Sequence, residues 1–157
     1  MSEPISAPRL MMLSIHPSHV ANILRGDKTV ELRRTRPAVQ PGQPVAIYAT
    51  TPTSAVVATS TITSVDADTP AAIWARHGAA SMIDQADFDA YFAGVVIAVA
   101  LNLGPIEQLP EHLPLEHMRR DAPFHPPQTW HFLTSERVEQ LAGSHPAHEE
   151  LARLVES

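Results

Sequence analysis

The alternation of apolar and polar residues along the chain predicts a mixed α+β domain. Short apolar or alternating runs of strand length are interspersed with stretches of helical periodicity, in the order β-α-β-β-β-α-α-β-β-α. The predicted strands cover residues 10–15, 29–34, 45–50, 55–65, 95–103 and 128–133. Most connections are short and the regular βαβ alternation of a doubly wound fold is missing. The pattern therefore favours a mixed, partly closed sheet.

Breaker residues limit the predicted helices. Pro17 suits a helical first turn, and Gly26 supplies the expected stop after it. Two short helices are predicted at residues 71–76 and 84–92. Six prolines between Pro105 and Pro127 exclude a long regular element there. Residues 1–9 are predicted to form a flexible tail.

Composition narrows the class of protein. At 157 residues with 44% apolar content, the chain fits one domain with a sizeable core. It has no apolar run of membrane-spanning length and no secretory signal, so we expect no membrane partner. The absence of cysteine fits a reducing cytoplasm, where we expect the protein to be located. A net charge of −6 argues against a broad basic face that coats long duplex.

Basic residues are concentrated in one short stretch. Five of the eleven lie within twelve positions, namely Arg25, Lys28, Arg33, Arg34 and Arg36. Such a local basic site suits a small anion or a short nucleic-acid segment, whereas the alternative is a solvated charged loop. Lys28 is the single lysine in a chain with ten arginines.

The same stretch combines opposite charges on one strand face. Glu31 and Arg33 are two residues apart, about 6.6–6.8 Å along a strand, and opposite the apolar Val30 and Leu32. With Lys28 at the preceding turn, a carboxylate that accepts base N–H groups stands beside donors for phosphate. The alternative is a salt-bridged triplet that orders a turn and binds nothing.

The stretch "GDKTVELRR" has the pattern Gly-x-Lys-x-x-Glu-x-Arg and resembles the signature of ASCH domains, small modules similar to the PUA domain. Further landmarks of bacterial ASCH proteins follow in the same order. "MLSIHPSHVANILRGDKTVELRR" is similar to their opening, "FDAYFAG" to a later helix, and "HPPQTWHFL" to their closing strand. The resemblance covers residues 10–133.

The resemblance implies a small mixed β-barrel flanked by short helices over residues 10–133. Residues 134–157 would then be a helical extension that packs on this domain. It also implies a cleft lined by Lys28, Glu31 and Arg33 that binds RNA, single-stranded or modified, or a nucleotide. We expect no cofactor, and we favour a non-enzymatic binding module, with a regulatory role as one form of it.

Two enzymatic alternatives stay open. A branch of ASCH proteins hydrolyses N4-acylated cytidine with a lysine, a threonine and a glutamate. Lys28 matches the lysine, but Glu31 replaces the threonine, and no carboxylate lies between Asp68 and Asp84 where the glutamate is expected. A ribonuclease would use Lys28 and Glu31 as acid and base. A protein-interaction module with no nucleic-acid role is a third class, favoured if Lys28, Glu31 and Arg33 are fully paired to one another with no open cleft.

Other residues are candidates for ligand contacts. Arg34 would meet phosphate, Ser14 and Gln128 a base edge, and Tyr48 or Trp130 would stack on a base. Core packing is the alternative for Trp130. The nine histidines include His-x-x-His pairs at 16–19 and 145–148, but each pair encloses a proline and lacks a third ligand. We therefore predict exposed histidines and no metal site.

Overall fold

The computed structural model describes residues 9–156, which form seven strands and six helices. In chain order they are β1 (Leu10–Ile15), α1 (Pro17–Leu24), β2 (Val30–Arg33), β3 (Gln43–Ala49), β4 (Ala55–Asp68), α2 (Pro70–Ser81), α3 (Gln85–Tyr91), β5 (Ala98–Leu103), β6 (Glu107–Pro114), α4 (Leu115–Met118), β7 (Trp130–Leu133), α5 (Ser135–Ala142) and α6 (His148–Glu156). The described residues form two compact units, described separately below.

The first unit comprises residues 9–16, 44–59 and 107–156. Its strand β1 lies between β3, which is parallel to it, and β7, which is antiparallel. Every residue of β1 is buried, as its sequence of five apolar residues and Ser14 predicts. The apolar faces of α5 and α6 pack into the same large hydrophobic cluster as Leu10 and Met12 of β1.

Strand β6 lies where the six prolines excluded a long regular element, so that prediction was wrong. The strand pairs with the first part of β4, and the ladder is interrupted between the pairs Val56↔Leu113 and Ala58↔Gln108. Pro110 lies inside this interruption, where no backbone amide hydrogen is required. The eight-residue strand can therefore contain proline because its pairing is irregular.

The second unit comprises residues 17–43 and 60–106. Strand β5 pairs antiparallel with β2 and with the second part of β4. Helices α2 and α3 cover one face of these strands through Ile73 and Phe88, which pack against Val30 and Leu32. Helix α2 is longer than predicted, because Thr69 caps its start and helix-compatible residues continue to the left-handed cap at Met82.

The strands pair in the order β2-β5-β4-β3-β1-β7, with β6 on β4. This mixed seven-stranded sheet with six helices confirms the α+β class. In residues 9–156 the order runs from β2 to β7 without a pair that joins these two ends. Closure into a barrel is therefore not confirmed. No helix in this part of the chain is long and apolar enough to cross a membrane.

The predicted division into tail, domain and helical extension stays a prediction. Residues 1–8 of the predicted tail lie outside the described residues, and Arg9 places its guanidinium 3.9 Å from the centroid of the Phe132 ring.

Candidate functional site

Lys28 lies in the turn between α1 and β2. The amides of Asp27 and Lys28 both donate to the carbonyl of Asn22, at 3.0 and 3.1 Å, and Gly26 takes a φ of +84° that favours glycine. This turn directs Lys28 inwards, and its exposed fraction is only 1%. Its Nζ donates a 2.6 Å hydrogen bond to the carbonyl of Ser81, at the end of α2. The ammonium thus meets the negative end of a helix.

Glu31 lies between two cations. One carboxylate oxygen is 2.9 Å from the Arg33 guanidinium and the other is 3.5 Å from Lys28 Nζ. Glu31 and Arg33 are 6% and 7% exposed, so both faces of β2 are covered. We call Lys28, Glu31 and Arg33 the buried triad. The three side chains come together as predicted from their spacing, but they do so as paired charges.

Burial lowers the pKa of Lys28 below 10.5. The charge and hydrogen bond of Glu31 oppose this decrease, and the charge of Arg33 adds to it. A lowered pKa makes the neutral amine, which can accept a proton, more accessible near neutral pH. With one carboxylate for two cations, the buried triad carries a formal surplus of one positive charge.

A surface cavity of about 480 Å³ lies beside the turn that carries Lys28. Its wall combines the turn with the end of β5 and is formed by residues such as Arg25, Gly26, Leu103 and Gly104. The Lys28 side chain has no exposed surface, so its ammonium does not project into solvent there.

Two exposed arginines directly follow the buried triad. Arg34 and Arg36 come after the last residue of β2, and neither takes part in a salt bridge among residues 9–156. Arg25 is also exposed, but its guanidinium lies 3.3 Å from the carboxylate of Asp27. Arg34 and Arg36 are therefore the cations of this stretch best able to meet an anion.

Tyr91 is a neighbour of this charged group that the sequence reasoning assigned to helix packing. Its Oη donates a 3.4 Å hydrogen bond to the carbonyl of Leu32, and 41% of the residue is exposed. Burial of the hydroxyl raises the pKa of Tyr91, while the charges of Arg33 and Arg34 oppose this rise. Phe88 and Tyr91 are three residues apart on α3, a spacing typical of helix packing. In the sequence, only the hydroxyl of Tyr91 indicated a role other than packing.

Other predicted site residues lie together in the first unit. Ser14 pairs in register with Tyr48, and the neighbouring Leu13 pairs with Trp130. The Ser14 hydroxyl donates a 2.6 Å hydrogen bond to the carbonyl of Pro127, which commits its proton to the backbone. Gln128 is exposed and Trp130 half-buried, at the start of β7.

Tyr48 does not offer its ring to a ligand in this structure. It is 2% exposed and packs in the large hydrophobic cluster of the first unit. Burial raises its pKa, and a hydrogen bond with Ser54 lowers it in part. The alternation of β3 was read correctly, but β3 is an interior strand with both faces covered, so the expectation of a stacking surface at Tyr48 is corrected.

The histidines are less exposed than predicted. The side chain of His145 is 7% exposed, its Nε2 is 3.2 Å from Glu111, and its ring meets the ring of His117 edge-on at 4.9 Å. Among residues 9–156, no group of three or more histidine, aspartate or glutamate side chains could hold a metal ion.

Comparison with known proteins finds similar ASCH proteins from Zymomonas mobilis. No family model matches the chain. An ASCH domain-containing ribonuclease from Zymomonas mobilis subsp. mobilis is 27% identical over 136 residues, which cover 83% of this chain and 88% of that protein. The crystal structure of an ASCH protein from Zymomonas mobilis has a TM-score of 0.79 at 26% identity, covering 86% of this chain and 94% of the other.

The sequence and the fold of this chain are similar to those of ASCH domain proteins. A serine-to-alanine variant of the Zymomonas protein is equally similar in structure, with a TM-score of 0.79, 26% identity and coverage of 87% and 96%. In this chain the lysine, glutamate and arginine of the ASCH-like signature are the buried triad. The adjoining exposed charges are those of Arg34 and Arg36.

Proposed function

We propose that this protein binds RNA, with phosphate groups on Arg34 and Arg36. The observation that carries the proposal is the pair of exposed arginines, without salt-bridge partners in residues 9–156, directly beyond the positive surplus of the buried triad. The relative named a ribonuclease supports RNA as the ligand. Single-stranded RNA fits best, because its phosphates and bases are both accessible to a small local site.

The buried triad takes a positioning role in this proposal. Lys28 was expected to contact phosphate, but its ammonium is enclosed and bound to the Ser81 carbonyl. Lys28 thereby connects the start of β2 to the end of α2, and Glu31 also pairs with Arg33. Exposed Gln128 and half-buried Trp130 stay candidate base contacts of the first unit. A regulatory use of RNA binding also stays a prediction.

Cleavage of the bound RNA is the second candidate function. The name of the Zymomonas relative favours it, and Lys28, with its lowered pKa beside Glu31, is the acid–base candidate of the second unit. Hydrolysis of acylated cytidine has no such support. Thr29, the hydroxyl residue that directly follows Lys28, is exposed, and Glu31 is engaged with both cations.

Charge reversal of the two arginines tests RNA binding. An Arg34→Glu, Arg36→Glu double variant should bind a labelled 12-nucleotide RNA at least about tenfold more weakly in fluorescence anisotropy. The slope of log affinity against log salt should fall by about 1.4, since each lost contact with single-stranded RNA contributes about 0.7.

A matched control is an Arg120→Glu, Arg153→Glu double variant. Both of these residues are exposed and belong to the first unit, and the change in net charge is the same. Equal loss of affinity in the two double variants would show that only net charge matters. No binding by the wild type would overturn the proposal.

A gel assay for RNA fragments tests cleavage. The wild type should cut the same oligonucleotide, and Lys28→Met should not, while both give the same circular dichroism spectrum. Methionine keeps the length of the buried stem and removes the amine. Equal fragments from both proteins would exclude Lys28 from the reaction.

A further inference from the structure

The second unit exposes three large apolar side chains near the end of α3. Tyr91 is the last residue of α3, and Val96 and Ile97 lie just before β5, with exposed fractions of 41%, 78% and 48%. We call these three residues the apolar tip. Residues 95–97 were predicted to begin the strand, but the strand begins at Ala98, which leaves Val96 and Ile97 outside the ladder.

A tight turn connects the parts of the apolar tip. The amide of Val95 donates a 2.9 Å hydrogen bond to the carbonyl of Phe92, and Gly94 takes a φ of +77°. An L-residue with a side chain rarely adopts this φ, so Gly94 suits the reversal of the chain after α3. The turn holds Val95 against Phe92, so Val96 and Ile97 follow within a few residues of the helix end that carries Tyr91.

The ring of Tyr91 is held in place from two sides. Its hydroxyl is bonded to the Leu32 carbonyl at 3.4 Å, and its ring lies 4.8 Å from the Phe92 ring in an edge-on arrangement. Phe92 is itself 3% exposed and packs on Phe88 with 4.7 Å between ring centroids. An exposed aromatic face supported by a rigid core can accept a stacked ring without first being ordered.

Positive charge lies next to the apolar tip. Arg33, the last residue of β2, pairs in register with Val99, near the beginning of β5. The exposed Arg34 and Ile97 therefore lie at the same end of this antiparallel strand pair. The charges of Arg33 and Arg34 also act on the Tyr91 hydroxyl. The acidic residues of α3, Asp87 and Asp89, lie further back along the helix. An aromatic ring beside the exposed guanidinium of Arg34 is complementary to a base beside its phosphate.

We infer that the apolar tip is a base-stacking surface for single-stranded RNA, on which an unpaired base lies against Tyr91 while the adjacent phosphates meet Arg34. Val96 and Ile97 extend the apolar contact to the ribose or to a second base. The inference rests on the proposed RNA binding. It adds a contact for the bases, whereas the arginines contact the phosphates. Because every base has an aromatic face, the surface selects unpaired RNA and not a particular sequence.

The experiment compares two RNAs of equal length and charge. One is a 12-nucleotide oligouridylate, and the other is the same backbone with abasic sites at its centre. The wild type should bind the oligouridylate at least about tenfold more tightly, since stacking on an aromatic side chain is a substantial part of single-strand affinity. Tyr91→Ala should lose this preference and bind both RNAs with the weaker affinity, whereas Tyr91→Phe, which keeps the ring, should retain most of it.

Met82→Ala is the matched control. Met82 is the other large apolar residue of the second unit recorded as strongly exposed, at 46%, and it caps α2. Its truncation should leave both affinities unchanged. Circular dichroism of each variant checks that the fold is intact, and Ile97→Asp provides a second variant that does not touch the Tyr91–Leu32 hydrogen bond.

Each outcome decides between distinct conclusions. If the wild type binds neither RNA, the proposed function fails and this inference fails with it. If the wild type binds RNA and Tyr91→Ala and Ile97→Asp both keep the preference for bases, RNA binding stands and the stacking surface is overturned. If Ile97→Asp converts a dimer to a monomer without changing either RNA affinity, the apolar tip is a protein interface and the inference is also overturned.

Discussion

The interiors of the two units differ in what they bury. The first unit encloses a hydrophobic cluster of sixteen buried residues, whereas the corresponding cluster under α2 and α3 has seven. All three charged residues recorded as buried, Lys28, Glu31 and Arg33, belong to the second unit. The first unit is therefore stabilised mainly by burial of apolar surface, as expected of a small domain.

The buried charges of the second unit do not contribute to stability in the same way. Removing a charged group from water costs more than a typical ion pair returns, so well-packed apolar side chains in their place are often equally stable or more stable. The presence of the buried triad in the smaller of the two cores therefore indicates a function other than stability. In this protein the group lies directly before Arg34 and Arg36, which is why we place RNA binding in the second unit.

Removal of the central carboxylate should have the largest effect. Glu31→Gln leaves Lys28 and Arg33 buried without their counter-charge, so we expect a loss of about 3–5 kcal/mol in the free energy of unfolding. Denaturant unfolding followed by circular dichroism measures this loss. The same experiment on Leu10→Ala, in the apolar cluster of the first unit, gives the reference for a large-to-small change, about 2–5 kcal/mol.

A triple variant sharpens this result. Lys28→Met, Glu31→Leu and Arg33→Met together replace the whole buried triad with apolar side chains and should recover most of the stability lost in Glu31→Gln. The RNA affinity of the triple variant should stay below that of the wild type. A loss below about 1 kcal/mol for Glu31→Gln alone would show that the carboxylate does not hold the two cations in the folded state.

Lys28→Met should have an intermediate effect that depends on pH. Near pH 7 the variant should be about 1–2 kcal/mol less stable than the wild type, because the Ser81 carbonyl loses its donor. The pKa of Lys28 is lowered in the fold, so between this lowered pKa and 10.5 the unfolded chain binds more protons. Wild-type stability relative to the variant therefore rises with pH across that window.

Unfolding at several pH values up to 10 measures this dependence. Lys28 is the one lysine in the chain, and the tyrosines are common to both proteins, so their titration cancels in the difference. A difference that stays constant, or that falls as pH rises, would contradict a lowered pKa for the buried amine.

His117 should give the smallest effect, in the first unit. Burial and the neighbouring His145 and Arg120 lower the pKa of His117 below 6.5, while Asp121 opposes this. As pH falls below 6.5 the unfolded chain takes up this proton first, so stability is lost until the lowered pKa is passed. His117→Gln should lose less stability than the wild type between pH 7.5 and 5 in thermal melts. Identical losses would show that His117 does not titrate differently in the folded state.

Local patterns alone determined much of this protein. Three features are properties of short stretches: the apolar sequence of β1, the Pro17 and Gly26 limits of α1, and the signature that resembles that of ASCH domains. The grouping of Lys28, Glu31 and Arg33 also followed from spacing, since residues two apart on a strand share a face.

Only the tertiary structure decided how these residues are used. Whether Lys28 reaches solvent depends on the end of α2, more than fifty residues later, where the Ser81 carbonyl accepts a hydrogen bond from its ammonium. Burial of Tyr48 depends on the hydrophobic cluster that packs on its face of β3, and exposure of Tyr91 depends on where α3 ends. Strand β6 contains Pro110 because its pairing with β4 is interrupted at that point. Sequence periodicity reports which residues share a face, but the element that covers that face is a long-range contact that periodicity does not contain.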